Sequence, residues 1–183
     1  MQKILFKTGV DKIPAKSLPS ELWGIQVKDI DGVERHLKDY TENFKLFIFV
    51  NVACKWGLTS DHYKEMVDLY STYKSKGLQI LAFPCGQFMN QEYEKEGEIK
   101  DFVQSNFKVE FPMFSKIEIN GLDMHPIYKY LKSNTKEMNT EKGLKNIPWN
   151  FGKFLVDANG KVINFYSPKV TPKEMISDIN KYL

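Results

Sequence analysis

Cysteine is scarce in this sequence, which has only Cys54 and Cys85 among 183 residues. Two cysteines are too few for the disulfide framework of a small secreted domain, and they suit a reducing compartment. We therefore expect a cytoplasmic protein. The histidines are equally few, and His36, His62 and His125 have no ligand-like spacing, so we expect no metal site. His62 falls in the first turn of a predicted helix and is expected at the surface.

Long hydrophobic runs and an excess of one charge are also missing. No apolar run approaches the roughly 20 residues that a membrane-spanning helix needs. The longest run is interrupted by Lys45 and Asn51. The 26 basic and 23 acidic residues are spread along the chain and give a net charge of only +3. We therefore expect neither a membrane span nor a nucleic-acid partner.

The first twenty residues contain four lysines and two prolines but no arginine and no apolar block of signal-peptide length. We expect residues 1–20 to form a retained extension, and a mitochondrial presequence stays open as an alternative. The remaining residues 21–183, in a chain that is 42% hydrophobic, are enough for one core and few for two domains. The sequence predicts a single domain that follows an N-terminal extension.

The most informative stretch is FKLFIFVNVACKWGLT, residues 44–59. Its first part is a nearly continuous run of β-branched and aromatic residues, which is typical of a strand buried on both faces of a sheet. Gly57 breaks this pattern, and Thr59 or Ser60 can cap a following helix with Asp61 in its first turn. A side chain on such a strand-to-helix turn lies at the carboxyl edge of the sheet, where open α/β folds bind ligands.

The rest of the chain alternates strand and helix patterns, which predicts an α/β fold with a central mixed sheet flanked by helices. Residues 133–146 are polar and are expected to be irregular. Strands are predicted at residues 22–27, 44–52, 78–83, 111–119, 154–156 and 162–166, and helices at residues 59–76, around 99–103, around 127–131 and around 175–179.

NVACKWGLT, residues 51–59, resembles the active-site turn of the glutathione peroxidases. In that family the position of Trp56 is held by selenocysteine or cysteine, and that of Cys54 usually by serine. Further family motifs follow in the family's order and at about its spacing. The resemblance covers roughly residues 22–183 and implies a thioredoxin-like fold in the monomeric, phospholipid-hydroperoxide-type branch. The further family motifs that carry the resemblance are FPCGQF at 83–88, the pair Gln91 and Glu92, WNF at 149–151 and KFLVD at 153–157.

The resemblance implies thiol-dependent reduction of hydroperoxides, with glutathione as co-substrate and no bound cofactor. Such a reaction needs a nucleophile that is ionised near neutral pH and donors that hold the resulting anions. By resemblance the donors are Gln91, Trp149 and Asn150, all of them uncharged. The predicted pocket therefore consists of Trp56, Gln91, Trp149 and Asn150.

Trp56 does not fit this chemistry, because an indole cannot ionise to a nucleophile. Three explanations stay open. A UGA codon that encodes selenocysteine can be written as Trp; the chain can be an inactive member that serves as a subunit of an assembly and docks through its extension; or Cys54 can act instead. A buried thiol at Cys54 would have a raised pKa, and a small core residue in place of serine is the simpler interpretation. A disulfide between Cys54 and Cys85 is conceivable.

Several positions depart from the family pattern. In the loop that carries Gln91, Gly86 replaces a usual asparagine, Met89 a usual glycine and Tyr93 a usual proline. Thioredoxin-dependent members carry a resolving cysteine in the helix before the EFP segment. In the corresponding helix this chain has Gln104 and Ser105 instead. The chain is therefore expected to depend on an external thiol.

Overall fold

The structure is a computed structural model, and it describes residues 9–183. Strands and helices alternate as the sequence predicts. In chain order the elements are β1 (Val10–Asp11), β2 (Gln26–Lys28), β3 (Glu34–His36), β4 (Leu46–Val52), α1 (Thr59–Tyr73), β5 (Leu78–Pro84), α2 (Glu96–Phe107), α3 (Pro126–Ser133), β6 (Asn139–Thr140), β7 (Gly143–Lys145), β8 (Lys153–Asp157), β9 (Val162–Tyr166) and α4 (Ile176–Ile179).

The central sheet has the strand order β5-β4-β8-β9. β4 and β5 run parallel, with Leu46 opposite Leu78 and Val52 opposite Pro84. β8 lies antiparallel to β4 on its other side, and β9 returns from β8 as a hairpin. The prediction of a mixed sheet is confirmed. Because β4 has neighbours on both sides, its carboxyl end lies in the middle of the sheet edge.

Each face of the sheet packs against helices, which explains the continuous apolar pattern of β4 and β5. All residues of both strands are buried. Successive side chains of a strand point to opposite faces. Ile48 and Val50 lie in one core with α1 and α4, whereas Phe47 and Phe49 lie in the other with α3. The two cores therefore meet only across the sheet and at its edges.

The strand predicted at residues 111–119 is wrong as a continuous strand. The segment lies along the outer side of β5, where the Phe114 amide donates to the Ala82 carbonyl at 3.1 Å, but it makes only isolated bridges. Pro112 has no N–H to donate. The Ser115 amide bonds instead to Lys28 in the β2-β3 hairpin, at 3.0 Å. The hydrogen bonds of this segment are thus divided between two neighbours.

The expectation that residues 133–146 are irregular is also wrong in part, because β6 and β7 form a small sheet with β1. Gly143 makes this pairing possible. It has a φ of 136°, and a Cβ built on it would lie 2.4 Å from the Asp11 carbonyl oxygen. The Asp11 carboxylate accepts the Gly121 amide at 2.8 Å. The described part of the N-terminal extension therefore packs on its own chain, and residues 1–8 lie outside the described residues.

The helices lie in the regions that the sequence predicts. α1 begins at Thr59 and continues through a 3-10 turn to Gly77, whose φ of 110° ends it. The last helix is shorter than expected, since residues Pro172–Met175 form a 3-10 turn before α4. In the part of the chain that the structure describes, no helix is long and apolar enough to cross a bilayer.

Asn51, the penultimate residue of β4, offers a test of how the sheet holds the segment before β8. Its Nδ2 donates to the Trp149 carbonyl at 3.1 Å, and its side chain is fully buried. We expect Asn51→Ala to lower the free energy of unfolding by about 1–3 kcal/mol, because the Trp149 carbonyl loses this donor. Denaturant unfolding measures the change.

Asn164→Ala is the matched control, because Asn164 is an exposed strand residue whose side-chain oxygen accepts the amide of the next residue. It should change the free energy of unfolding by no more than about 0.5 kcal/mol. Equal losses in the two variants would contradict the role given to Asn51.

Candidate functional site

The turn between β4 and α1 is closed by Thr59. The Thr59 hydroxyl donates to the Ala53 carbonyl at 2.7 Å and accepts the Trp56 amide at 3.1 Å. Thr59 is therefore not the helix cap that the sequence suggests, and neither is Ser60, because Leu58 occupies the cap position and makes no side-chain cap bond. The hydroxyl fixes the backbone of Trp56 at the start of α1.

The Trp56 ring is half-buried and packs against two other rings. It stacks on Phe151 with centroids 5.7 Å apart, and its centroid is 5.4 Å from that of His62. His62 is only 3% exposed, so the expectation of a surface residue is wrong: it lies on the inner side of α1. The His62 Nδ1 lies 3.0 Å from the Leu58 carbonyl and donates to it. Burial, and next the charge of Lys153, lowers the pKa of His62, so the ring is neutral.

Gln91 and Asn150 are in direct contact. The Asn150 Nδ2 donates to Gln91 Oε1 at 2.8 Å, which leaves the amide group of Gln91 as its donor. The Gln91 carbonyl accepts the Lys55 amide at 2.8 Å, next to Trp56. One residue thus joins the turn after β4 to the segment before β8, although 59 positions separate Gln91 from Asn150.

Trp149 completes the set of predicted residues. Its ring is 6% exposed and packs 5.5 Å from Phe88, centroid to centroid. Trp149 belongs to the core on the α3 face, Phe151 belongs to the other core, and Trp56 contacts both. The segment 149–151 therefore passes around the sheet edge beside Trp56. The structure places all four predicted site residues at this edge, and their catalytic roles stay a prediction.

Met89 and Asn90, in the loop before Gln91, share an unusual backbone conformation. Their φ angles are 52° and 51°, in the left-handed region that favours glycine. The Met89 side chain is 75% exposed and need not pack against anything. Met89 and Asn90 thus adopt a backbone conformation typical of glycine without being glycines.

A sequence model described as "Glutathione peroxidase" matches residues 22–132. The chain belongs to the glutathione peroxidase family.

Two curated relatives support this assignment along nearly the whole chain. The chain is 44% identical over 162 residues to "Glutathione peroxidase homolog BsaA" of Bacillus subtilis, which covers 88% of this chain and 98% of that protein. It is 43% identical over 167 residues to "Probable phospholipid hydroperoxide glutathione peroxidase" of Nicotiana tabacum, covering 91% and 95%.

Solved structures confirm the thioredoxin-like fold. The structure matches GPX1 of T. cruzi with a TM-score of 0.68 at 28% identity, covering 89% of this chain and 96% of that one. It also matches a thiol:disulfide interchange protein of the thioredoxin family from Chlorobium tepidum, with a TM-score of 0.57 at 14% identity, covering 90% and 96%. The second likeness concerns the fold alone.

Glu92 is a site-building residue to which the sequence assigned no role. It is 1% exposed, and its Oε1 accepts the amides of Cys54 at 3.0 Å and Tyr93 at 2.9 Å. Burial raises the pKa of Glu92, although these hydrogen bonds oppose the shift. Glu92 ties the residue-56 turn to the loop that carries Gln91. The only signal in the sequence was its place beside Gln91 in the motif.

The two cysteines do not supply the missing nucleophile. Burial, and then the charge of Glu92, raises the pKa of the Cys54 thiol far above its ordinary value. Burial raises the pKa of Cys85 to about 12. Both thiols are free, so the conceivable disulfide between them is not formed. The structure favours Cys54 as a small buried residue in the place of serine.

Among residues 9–183, no group of three or more His, Cys, Asp or Glu side chains could hold a metal ion. The candidate site is built from uncharged donors and aromatic rings.

Glu92 predicts a pH-dependent stability. A carboxyl with a raised pKa in the folded state contributes its full stability below its unfolded pKa, near 4.5, and loses it as the pH rises through the folded value. Glu92→Gln keeps the acceptor oxygen without the charge. We therefore expect the variant to gain stability relative to the parent chain as the pH rises from about 4 to about 8. Denaturant unfolding at both pH values measures this, and a difference that does not change with pH would contradict it.

The burial of Cys54 predicts that its thiol is alkylated slowly. Because its thiol is buried and protonated, iodoacetamide should label Cys54 in the native protein far more slowly than in denaturant. Mass spectrometry of the digested protein measures the labelling at each cysteine, with Cys85 as the internal comparison. Fast labelling of Cys54 in the native protein, with Cys85 left unlabelled, would contradict this prediction and favour Cys54 as a nucleophile.

Proposed function

We propose that this chain reduces hydroperoxides with thiols, and that an ionisable chalcogen at position 56 carries the reaction. The supporting observation is the contact of Asn150 with Gln91 at 2.8 Å, directly beside the turn of residue 56. A pair of neutral amides held at this point has a use in binding an anion. The names of the curated relatives, a glutathione peroxidase homolog and a phospholipid hydroperoxide glutathione peroxidase, agree with this chemistry.

The proposed reaction has two halves. A selenolate or thiolate at position 56 attacks the terminal oxygen of ROOH, the O–O bond breaks, and the departing RO⁻ takes a proton to leave as ROH. The oxidised side chain, now –SeOH or –SOH, is reduced by two thiols, which become a disulfide while the oxygen leaves as water. Gln91, Trp149 and Asn150 would hold the developing anions through N–H donors that do not titrate.

Position 56 suits an anion even though Trp56 cannot be one. It lies at the N-terminal end of the 15-residue helix α1, where the helix dipole favours negative charge and lowers the pKa of a nucleophile. We therefore propose that a UGA codon specifies selenocysteine at this position. In this structure the indole of Trp56 occupies the place of that side chain.

The proposed reductant is an external small thiol, with glutathione as the expectation from the family. α2 carries Gln104 and Ser105 in place of a resolving cysteine, and Cys85 is buried. A cleft of about 370 Å³ begins beside the site at Leu58 and His62 and is lined by side chains of both charges. Glutathione also carries both charges, so this cleft is a suitable place for it. The cytoplasm is the proposed compartment, and mitochondria stay the alternative.

An inactive family member is the second candidate function. The observation in its favour is that Trp56 fits the site well, because its ring stacks on Phe151 and its amide is bonded to Thr59. Such a protein would use the fold as a scaffold. Docking of a partner through the N-terminal extension stays a prediction, since residues 1–8 lie outside the described residues.

The mass of the authentic polypeptide separates these two functions. Under the proposed function, the peptide that contains residue 56 should show the isotope pattern of selenium, and the protein should oxidise glutathione when peroxide is added. If the peptide has the mass expected for tryptophan and the turnover is no higher than that of a boiled control, the peroxidase function is excluded.

Trp56→Cys tests whether the surrounding donors are competent. We expect this variant to gain thiol-dependent peroxide reduction, whereas Trp56→Ser, which has no ionisable chalcogen, should gain none. Adding Gln91→Ala to the cysteine variant should lower kcat/KM on the order of 10- to 1000-fold, because one anion donor is lost. A coupled assay of glutathione oxidation measures all three. An unchanged rate without Gln91 would contradict its role.

A further inference from the structure

Lys153, the first residue of β8, is fully buried at the edge of the sheet. Its Nζ donates to the carbonyl oxygen of Phe151, two residues earlier. Placing an ammonium group in a protein interior costs several kcal/mol, and an apolar side chain of similar length would avoid that cost. The lysine therefore has to be explained by what its ammonium group holds.

The group that it holds is a constrained peptide. Phe151 has a φ of 63°, in the left-handed region that disfavours aromatic residues. Its amide donates to the Asn51 carbonyl at 2.6 Å, and its carbonyl accepts the Lys153 ammonium group. Both backbone groups of Phe151 are therefore held by hydrogen bonds. The next residue, Gly152, has no room for a side chain, since a Cβ would lie 2.8 Å from Ile147 Cγ2.

Two parts of the candidate site adjoin this peptide. Asn150, which donates to Gln91, is the residue before Phe151. The Phe151 ring stacks on Trp56 and lies 4.8 Å from His62, centroid to centroid. A rotation of the Phe151 peptide would therefore move an anion donor and the ring beneath position 56 together.

We propose that Lys153 is a positioning residue whose ammonium group locks the Phe151 peptide and so holds Asn150 on Gln91 and the Phe151 ring beneath residue 56. The proposal rests on the proposed function only in taking these groups as the site. The contact itself is a property of the chain as it stands.

The surroundings of Lys153 make this contact sensitive to pH near neutrality. Burial lowers the pKa of Lys153 to about 7, and the charges of Glu65 and Glu174 oppose the shift. His62 also faces it from α1, but its own pKa is lowered, and Tyr166 lies opposite on β9 with a pKa raised by burial. Among these neighbouring groups, Lys153 is the one whose pKa lies near 7. Below that pH its ammonium donates strongly, and above it a neutral amine donates weakly.

The test follows the site directly by NMR of the full chain. In the parent protein, the side-chain amide signals of Asn150 and Gln91 and the indole signal of Trp56 should shift together from about pH 5.5 to about pH 8.5, with a midpoint near the pKa of Lys153. Lys153→Met should abolish this shift. Lys153→Arg, which stays charged throughout, should also show no midpoint. A midpoint that survives in both variants would overturn the proposal.

Three controls identify the group that titrates. His62→Asn should keep the midpoint, because the neutral ring is not its source. Lys132→Met removes the other fully buried lysine, which donates to Asn120 Oδ1 at 2.7 Å, and should also keep it. Lys161→Met, at an exposed position in the β8-β9 turn, should change nothing. Loss of the midpoint in His62→Asn would assign the effect to the histidine and overturn the proposal.

The proposal can be tested even if one variant does not fold. If Lys153→Met fails to fold, the titration of the parent chain and of Lys153→Arg still decides it. A second measurement uses Trp56→Cys as background, where Lys153→Met should lower kcat/KM for peroxide by roughly tenfold through misplaced donors. Absence of turnover in the cysteine background would defeat the proposed function, and the NMR result would stand separately.

Discussion

The site depends on how the carboxyl end of β4 binds the segment before β8. Asn51 makes three hydrogen bonds to it: its amide donates to the Gly152 carbonyl at 3.3 Å, its carbonyl accepts the Phe151 amide at 2.6 Å, and its side chain donates to the Trp149 carbonyl at 3.1 Å. This strand also leads into the turn of Trp56. The strand that carries the reacting position therefore also fixes the residues proposed to serve it.

Buried ionisable groups hold the loops of the site, whereas the proposed donors are neutral. Glu92 binds backbone amides on the turn side, and Lys153 binds a backbone carbonyl on the β8 side. Both side chains therefore bind peptide groups of the backbone. This division keeps the donors free of titration while the framework around them carries the cost of burial.

The sequence was sufficient for the central sheet and for the family, because runs of apolar residues and ordered motifs report burial and family directly. It was insufficient where a contact is made by a distant segment. The burial of His62 depends on Phe151, 89 positions away by the numbering, and the segment around Pro112 divides its hydrogen bonds between two partners. Glu92 and Lys153 stood inside quoted motifs, but their roles require the positions of amides and carbonyls that no pattern states.

The neutrality of the donors has a consequence for solution conditions. Dissolved ions screen exposed charges within a Debye length of about 8 Å at physiological ionic strength, but they act far less on groups inside the protein. Asn150 is fully buried, and Glu92 and Lys153 are buried as well. The arrangement at the sheet edge should therefore be nearly indifferent to added salt, and only the approach of a charged molecule along the outer cleft should respond to it.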